Sequence, residues 1–469
     1  MSFSNFIQSM ATVLPEVPKP IKKLSLNEKL FWTGIALALY LIMAQTPLYG
    51  VPTGGADPLA YTRIIFASAQ GTLMELGIGP IVTAGLILQL LKGAEIIKID
   101  FKKPEDRALF TSATKLLTII VALIESSAYI VGGFFGSTLS PTAGFIITMQ
   151  LLAGTIVVML LDEMVQKGWG IGSGISLFIL AGVAQRIMWD IFSPLPAGNE
   201  PFGLIPFLIN STIHNRLHAT IIRAGGLPSL STFALTLLVM FIIIYIEGMR
   251  IEIPITSIKF RGFSGVYPIK LLYTSNVPII LVSALLTNIT FFSQQIWARY
   301  NPLNNNQFLN WLVMYNRTNI QAGPIGGLVY FLTPVHGLDR MMAEPLRAIT
   351  YALFVVFFSV IFAKLWVDIG GLSPKAAAKS LVDAQLQVPG FRRVDVSLES
   401  MLSRYIPTIT IISGIIIGLI AATSEILGVF GSGIGILLMI GIIIQYYQLL
   451  LREQLETMMP RLGALLGIK

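Results

Sequence analysis

Three histidines supply all the imidazole in this 469-residue chain. His214 and His218 stand four apart, a spacing at which one helix face offers two nitrogens to a metal ion. His336 is the only other histidine, and no cysteine exists to complete a ligand set. Nucleophile, phosphate and metalloprotease signatures are missing as well: the chain has no G-x-S-x-G, no G-x-x-x-x-G-K-S/T and no H-E-x-x-H. The sequence therefore predicts no catalytic residue, no metal and no cofactor. The unusual residues are of another kind. Glycines and prolines open apolar segments, Glu125 interrupts an apolar run, and arginines and lysines cluster in a few loops. Their chemistry is that of passage and recognition, without bond making.

The elements that carry these residues follow from composition. Charged residues make up 12% of the chain and apolar ones 54%, and mean hydropathy is +0.76. A soluble chain needs about a quarter charged residues to cover its surface. Apolar runs recur along the whole length, which predicts an all-α polytopic membrane protein, because the runs are too long and too uniform for alternating barrel strands. Without cysteine there are no disulfides and no thiolate nucleophiles. Four lysines precede the first run, and no small-residue cleavage site follows it, so the N-terminal segment is expected to stay on the chain.

Ten spans are predicted, near 30–46, 78–92, 108–134, 143–161, 172–192, 231–248, 277–295, 347–366, 406–422 and 430–451. With the N-terminus placed in the cytosol, 23 Lys and Arg fall on that side and 7 on the other; Lys115 and Arg186 lie in or near spans. The positive-inside rule then puts both termini in the cytosol and accounts for the net charge of +8. Ten spans divide into halves of five, residues 1–229 and 230–469. The second is inverted relative to the first, with no evident residue-level identity between them. Two cytoplasmic loops are long and basic. Residues 249–270 alternate β-branched residues between Gly/Pro stops and predict a hairpin, and Asp368–Tyr405 predicts a connecting loop. Such loops serve topology, and they also suit an acidic partner. External loops near 193–230 and 296–346 carry the tripeptides Asn210-Ser-Thr and Asn316-Arg-Thr.

The segment GIGPIVTAG, residues 77–85, opens the second span with poor helix formers. At about 1.5 Å per residue that span reaches about 22 Å, short of the roughly 30 Å hydrocarbon core. Pro80 suits a helix start, where its missing N–H costs nothing. Upstream, residues 60–76 carry Arg63, Gln70 and Glu75 in apolar surroundings, which predicts a re-entrant piece buried within protein. A second break lies at 168–174, where Gly168, Gly170, Gly172 and Gly174 precede the fifth span. Ile78 and Val82 share a helix face, as do Ile171 and Ile175, a spacing that ordinary core packing also explains.

Two of these stretches, GTLMELGIGPIVTAGLILQLL (71–91) and LLDEMVQKGWGIGSGISLFI (160–179), resemble the signatures of the SecY family, the large subunit of the Sec protein translocon. SNVPIILVSALLTN (275–288), PGFRR (389–393) and RYIPT (404–408) match further blocks in order, with wording closest to the archaeal and eukaryotic branch. The resemblance implies a passive protein-conducting channel of two five-helix halves. It assigns a pore ring to Ile78, Val82, Ile171, Ile175, Ile280 and Leu438. It assigns a plug to Thr62, Arg63, Ile64, Ile65, Phe66, Ala67, Ser68 and Ala69, and a polar lateral gate to Thr83, Glu125 and Asn288. Docking of a ribosome or cytosolic motor is implied at Lys259, Arg261, Lys270, Arg392 and Arg393. It further implies a SecE/gamma-type subunit and a Sec-beta/SecG-type subunit as partners, along with nascent polypeptides, signal sequences and membrane lipids, all at the cell (plasma) membrane.

Two other readings compete. A five-plus-five secondary transporter would place charged or ion-coordinating groups at its broken helices, but these breaks carry Ile, Val and Gly. An intramembrane enzyme would need an acid/base or nucleophile constellation, which the chain lacks.

Overall fold

The computed structural model describes residues 14–51, 63, 66–93, 96–97, 99, 103–135, 140–197, 200–214, 220–221, 223, 227–257, 264–316, 323–383, 386–387 and 394–458. Ten membrane helices organise them: α1 Leu26–Gln45, α2 Gly79–Gly93, α3 Pro104–Val131, α4 Pro141–Met164, α5 Gly174–Phe192, α6 Leu230–Gly248, α7 Val277–Tyr300, α8 Pro345–Ile369, α9 Val394–Leu427 and α10 Gly433–Met458. Among the described residues, nine helices are long and apolar enough to cross a membrane. The tenth, α2, has 15 residues and is the half-length helix predicted.

The starts of these helices have local causes. Ser25 caps α1 in a reciprocal box with Glu28, and Ser140 caps α4 ahead of Pro141. Ser229 and Thr232 do the same for α6.

The helices pack as two matching sets. In the first half α1 contacts α4 and α5, α2 contacts α3, and α4 contacts α3 and α5. In the second half α6 contacts α9 and α10, α7 contacts α8, and α9 contacts α8 and α10. Each pair in one half thus recurs five helices later. An odd number of crossings per half reverses the second set in the membrane. The halves meet along two seams, α2 against α7 and α8 on one side and α5 against α10 on the other.

The connection after α6 is the hairpin predicted: β1 (Arg250–Ser257) pairs antiparallel with β2 (Ser264–Lys270), Arg250 opposite Lys270. A short strand β3 (Leu386–Gln387) adds to β1 through Thr256 and Ser257, so the two basic connections are joined by backbone hydrogen bonds. The second connection is less loop-like than expected. It holds a helix, Pro374–Asp383, and α9 begins at Val394, well before the predicted edge at 406. The reason is amphipathic spacing. Leu398, Leu402 and Ile406 recur every four residues and are buried with Ile253, Ile269, Ala378 and Leu381 in a core separate from the membrane interior. At about 1.5 Å per residue, 34 residues give α9 about 51 Å, so one end stands clear of a roughly 30 Å core.

Candidate functional site

The site forms where α2 begins. Gly77 has φ +56°, and a Cβ placed there would lie 2.2 Å from the carbonyl oxygen of Phe66. That same carbonyl accepts a hydrogen bond from the Ile78 N–H at 2.8 Å. Only glycine permits this reversal and this approach. The chain before it folds tightly against its neighbours: Leu48 N–H donates to the Gly71 carbonyl, Leu73 N–H to that of Thr46, and Ala69 N–H to that of Met74. Tyr40 of α1 donates its hydroxyl to the Ala67 carbonyl at 3.2 Å.

The charged residues of this re-entrant piece pair with each other. The Arg63 guanidinium lies 2.6 Å from Glu75, and the two side chains are 9% and 2% exposed. The second Glu75 oxygen accepts from the Gly71 N–H at 2.5 Å. Sequence reading noticed both residues as too polar for lipid but could not pair them across twelve positions. Of the plug assignment, Arg63, Phe66, Ala67, Ser68 and Ala69 are described; Thr62, Ile64 and Ile65 lie outside the described residues.

One large apolar cluster runs through both halves. Ile78, Val82 and Leu438 are buried in it, Ile175 and Ile280 pack against it half-buried, and Phe66 and Ala67 join it from the re-entrant piece. Five of the six residues assigned to the ring therefore belong to the same large membrane core as the segment assigned as plug. Ile171 is buried too but stands outside this cluster, its N–H donated to Thr33 of α1 at 3.0 Å.

Polar groups line the α2–α7 seam. The Asn288 amide of α7 donates to the Thr83 hydroxyl of α2 at 3.0 Å. The Glu125 carboxyl of α3 is buried beside them and lines a common void with Asn288. An acid at membrane depth needs such partners. A void of about 30 Å³ beside them is lined by Arg63, Glu75, Glu125, Tyr129, Asn288 and Phe291, room for about one water.

Two further acids were missed in the sequence, and their placement repeats across the halves. Asp162 near the end of α4 accepts from the Ile175 N–H at 3.0 Å, capping α5. Glu425 near the end of α9 accepts from the Gly433 N–H at 2.6 Å, capping α10. Each satisfies donors that a buried helix start would leave orphaned. An acid inside an apolar span, a dozen or fewer residues before a glycine-rich restart, was the available signal. Across the second seam, Asp190 of α5 accepts from Gly431 N–H at 3.2 Å and pairs with Arg186 at 3.1 Å. Outside the spans, His336 lies half-buried 3.3 Å from Glu425. Burial, with Arg340 and Arg347 nearby, pushes its imidazole down to about 3, so it is neutral.

Of the residues assigned to docking, Lys270 is described. It ends β2, its ammonium 3.3 Å from Gln448 and 3.8 Å from Glu247, a brace at the hairpin base. Lys259, Arg261, Arg392 and Arg393 lie outside the described residues. His214 follows the short helix Leu204–Ile213, its ring bonded to the Asn210 carbonyl, and His218 lies outside the described residues. Among the described residues no group of three or more His, Asp or Glu is placed to hold a metal.

Two matched helical halves sharing an apolar core, with a half-length helix starting in that core, define a multi-pass membrane protein of channel architecture. The sequence profile of the SecY family matches residues 72–447, and the plug domain of Sec61p matches residues 39–71. The protein translocase subunit SecY of Pyrococcus furiosus is 39% identical over 481 aligned residues, covering all of both chains. That of Aeropyrum pernix is also 39% identical, over 100% of this chain and 99% of the other. A solved protein conducting channel superimposes with a TM-score of 0.81 at 35% identity, covering 96% of this chain and 98% of that one. Sec61 in the canine ribosome-channel complex from the endoplasmic reticulum gives 0.79 at 34% identity, with the same coverage. The chain belongs to the SecY family.

Proposed function

We propose that this chain is the central subunit of a protein-conducting channel, which passes polypeptides across a membrane and releases apolar segments sideways into lipid. The observation that carries this reading is the apolar cluster shared by the halves, which holds Ile78, Val82, Ile175, Ile280 and Leu438 together with Phe66 and Ala67. A conduit for any unfolded chain must not bind it, and aliphatic walls offer no directional hydrogen bonds. A narrow apolar waist also dewets and blocks ions when idle. In this reading those five residues and Ile171 form the ring, and residues 62–69 plug it. Thr83, Glu125 and Asn288 form a gate between α2, α3 and α7. The hydrogen bond between Asn288 and Thr83 must break for the α2–α7 seam to part. The matched packing supports halves of 1–229 and 230–469 that hinge about the α5–α10 seam.

The pore has no energy source of its own in this reading. A ribosome or cytosolic motor drives it from the two basic connections, which β3 joins, and Lys259, Arg261, Lys270, Arg392 and Arg393 are the docking residues in this reading. Arginine forks suit RNA phosphate. Both termini are cytosolic, the membrane is the cell membrane, and the partners are a SecE/gamma-type and a Sec-beta/SecG-type subunit. Changing Ile78 and Ile280 together to Ser tests the ring. The idle channel in a planar bilayer should then leak ions, and conductance equal to wild type would overturn the assignment.

A further inference from the structure

The external connection after α7 carries an exposed aromatic surface that the channel reading does not use. From Tyr300 to Asn316 no residue is charged, unusual for a stretch facing water. Within it a short helix, Gln307–Leu312, turns Phe308 and Trp311 outward, three apart on one face, at 77% and 69% exposure. Leu303 and Tyr300 beside them are also exposed.

The surface is held in place by asparagines. Asn301 donates to the Asn310 side chain at 2.8 Å, and its own side-chain oxygen accepts from the Asn306 N–H at 3.0 Å. Asn304, at φ +54°, accepts from the Trp297 indole at 2.7 Å and donates to the Tyr315 carbonyl. Asn306 caps the short helix. Asparagine tolerates the left-handed backbone and bonds its neighbours' main chain. Two exposed aromatic rings are thus fixed without any apolar cover of their own.

The height of this segment follows from its packing. Val313 and Tyr315 are buried against Trp297, Leu312 packs with them, and Ile289 and Ala298 of α7 belong to the same cluster. The Trp297 and Tyr315 rings lie 5.3 Å apart. The chain therefore leaves α7, turns, and runs back beside its last turns, so it does not project into water. Phe292, Ile296 and Tyr300 of α7 are exposed, as are Leu303, Phe308 and Trp311 in the segment that follows. That helix is long and apolar enough to cross a membrane.

We propose that residues 300–312 are an interfacial anchor, with Phe308 and Trp311 seated in the headgroup and glycerol layer of the outer leaflet, fixing the external end of α7 at the membrane surface. Aromatic side chains with an apolar body prefer that layer, and an uncharged, hydrogen-bonded carrier can enter it at little desolvation cost. The anchor depends on α7 spanning the membrane and stands whether or not the chain conducts polypeptides. It gives α7 a reference height, so that sideways movement of the helix carries the loop along the membrane plane.

The chain has no cysteine, so single cysteines report cleanly. Phe308→Cys, Trp311→Cys and, as an aqueous control, Asp339→Cys would be labelled with an environment-sensitive dye, and the full-length protein reconstituted into phosphatidylcholine/phosphatidylglycerol vesicles. At 308 and 311, lipid carrying a quencher near the headgroup should remove more than about half of the emission, and aqueous iodide should act several-fold less than at 339. Iodide quenching equal to that at 339 without lipid quenching would place the face in water. Protection from both quenchers would place it under another protein. Either result overturns the anchor.

Discussion

Breaking the Arg63–Glu75 pair should unseat the re-entrant piece. Both groups are almost fully buried, their charges 2.6 Å apart, with the second Glu75 oxygen held by Gly71. A buried pair of this kind gains little over an apolar pair of equal shape, but removing one partner takes away the counter-charge 2.6 Å from the other, at a cost of about 3–5 kcal/mol. At roughly 1.4 kcal/mol per tenfold, the lower figure shifts a closed–open equilibrium about 150-fold toward the state in which the remaining charge reaches water. Glu75→Gln and Arg63→Met should each raise idle ion conductance in a planar bilayer. The double variant Arg63→Met, Glu75→Leu removes both charges and should return most of the way to wild type, a coupling that a double-mutant cycle measures directly. Single variants as tight as wild type, or a double variant as leaky as both singles combined, would refute the reasoning.

Two other perturbations act through different terms. Gly77→Ala introduces a Cβ 2.2 Å from the Phe66 carbonyl at φ +56°, so beyond the left-handed penalty of about 1–2 kcal/mol the backbone itself must move; the melting temperature in detergent should fall and idle leak should rise. His336, held near 3 against an ordinary 6.5, binds a proton more readily unfolded than folded. Its contribution is complete above pH 6.5 and is lost as pH falls toward 3, on the order of a few kcal/mol. His336→Gln should therefore flatten the decline of thermal stability across that window relative to wild type, and parallel curves would count against the neutral imidazole.

Much of the architecture was legible in the sequence because membrane spans are read from composition alone. Each predicted span corresponds to an observed helix, the short α2 and the 249–270 hairpin included. Pro80 and the glycines marked the break because backbone geometry is a local property. Less was legible where partners are distant in sequence. Arg63 and Glu75 read as two misplaced polar residues, since nothing local tells a buried charge which of its neighbours it meets. The α9 extension was hidden because an amphipathic helix beside a soluble hairpin has modest hydropathy, and an apolarity threshold stops at Ile406. Asp162 and Glu425 passed as stray acids because their function is to cap a different helix, after a turn of unknown course. The ring residues were nameable from helix spacing and from resemblance, yet spacing alone was equally consistent with ordinary core packing.

The central claim is that the apolar cluster shared by the halves is the path of a translocating chain. A polypeptide stalled part-way, carrying one cysteine mid-chain, can be offered to channels bearing a single cysteine at 82, 175 or 280, or at 241, where Phe241 on α6 is 70% exposed on the outer surface of the bundle. Oxidation should give disulfide adducts at 82, 175 and 280 and none at 241. Adducts at 241 alone, or equal adducts at all four positions, would contradict a path through the cluster.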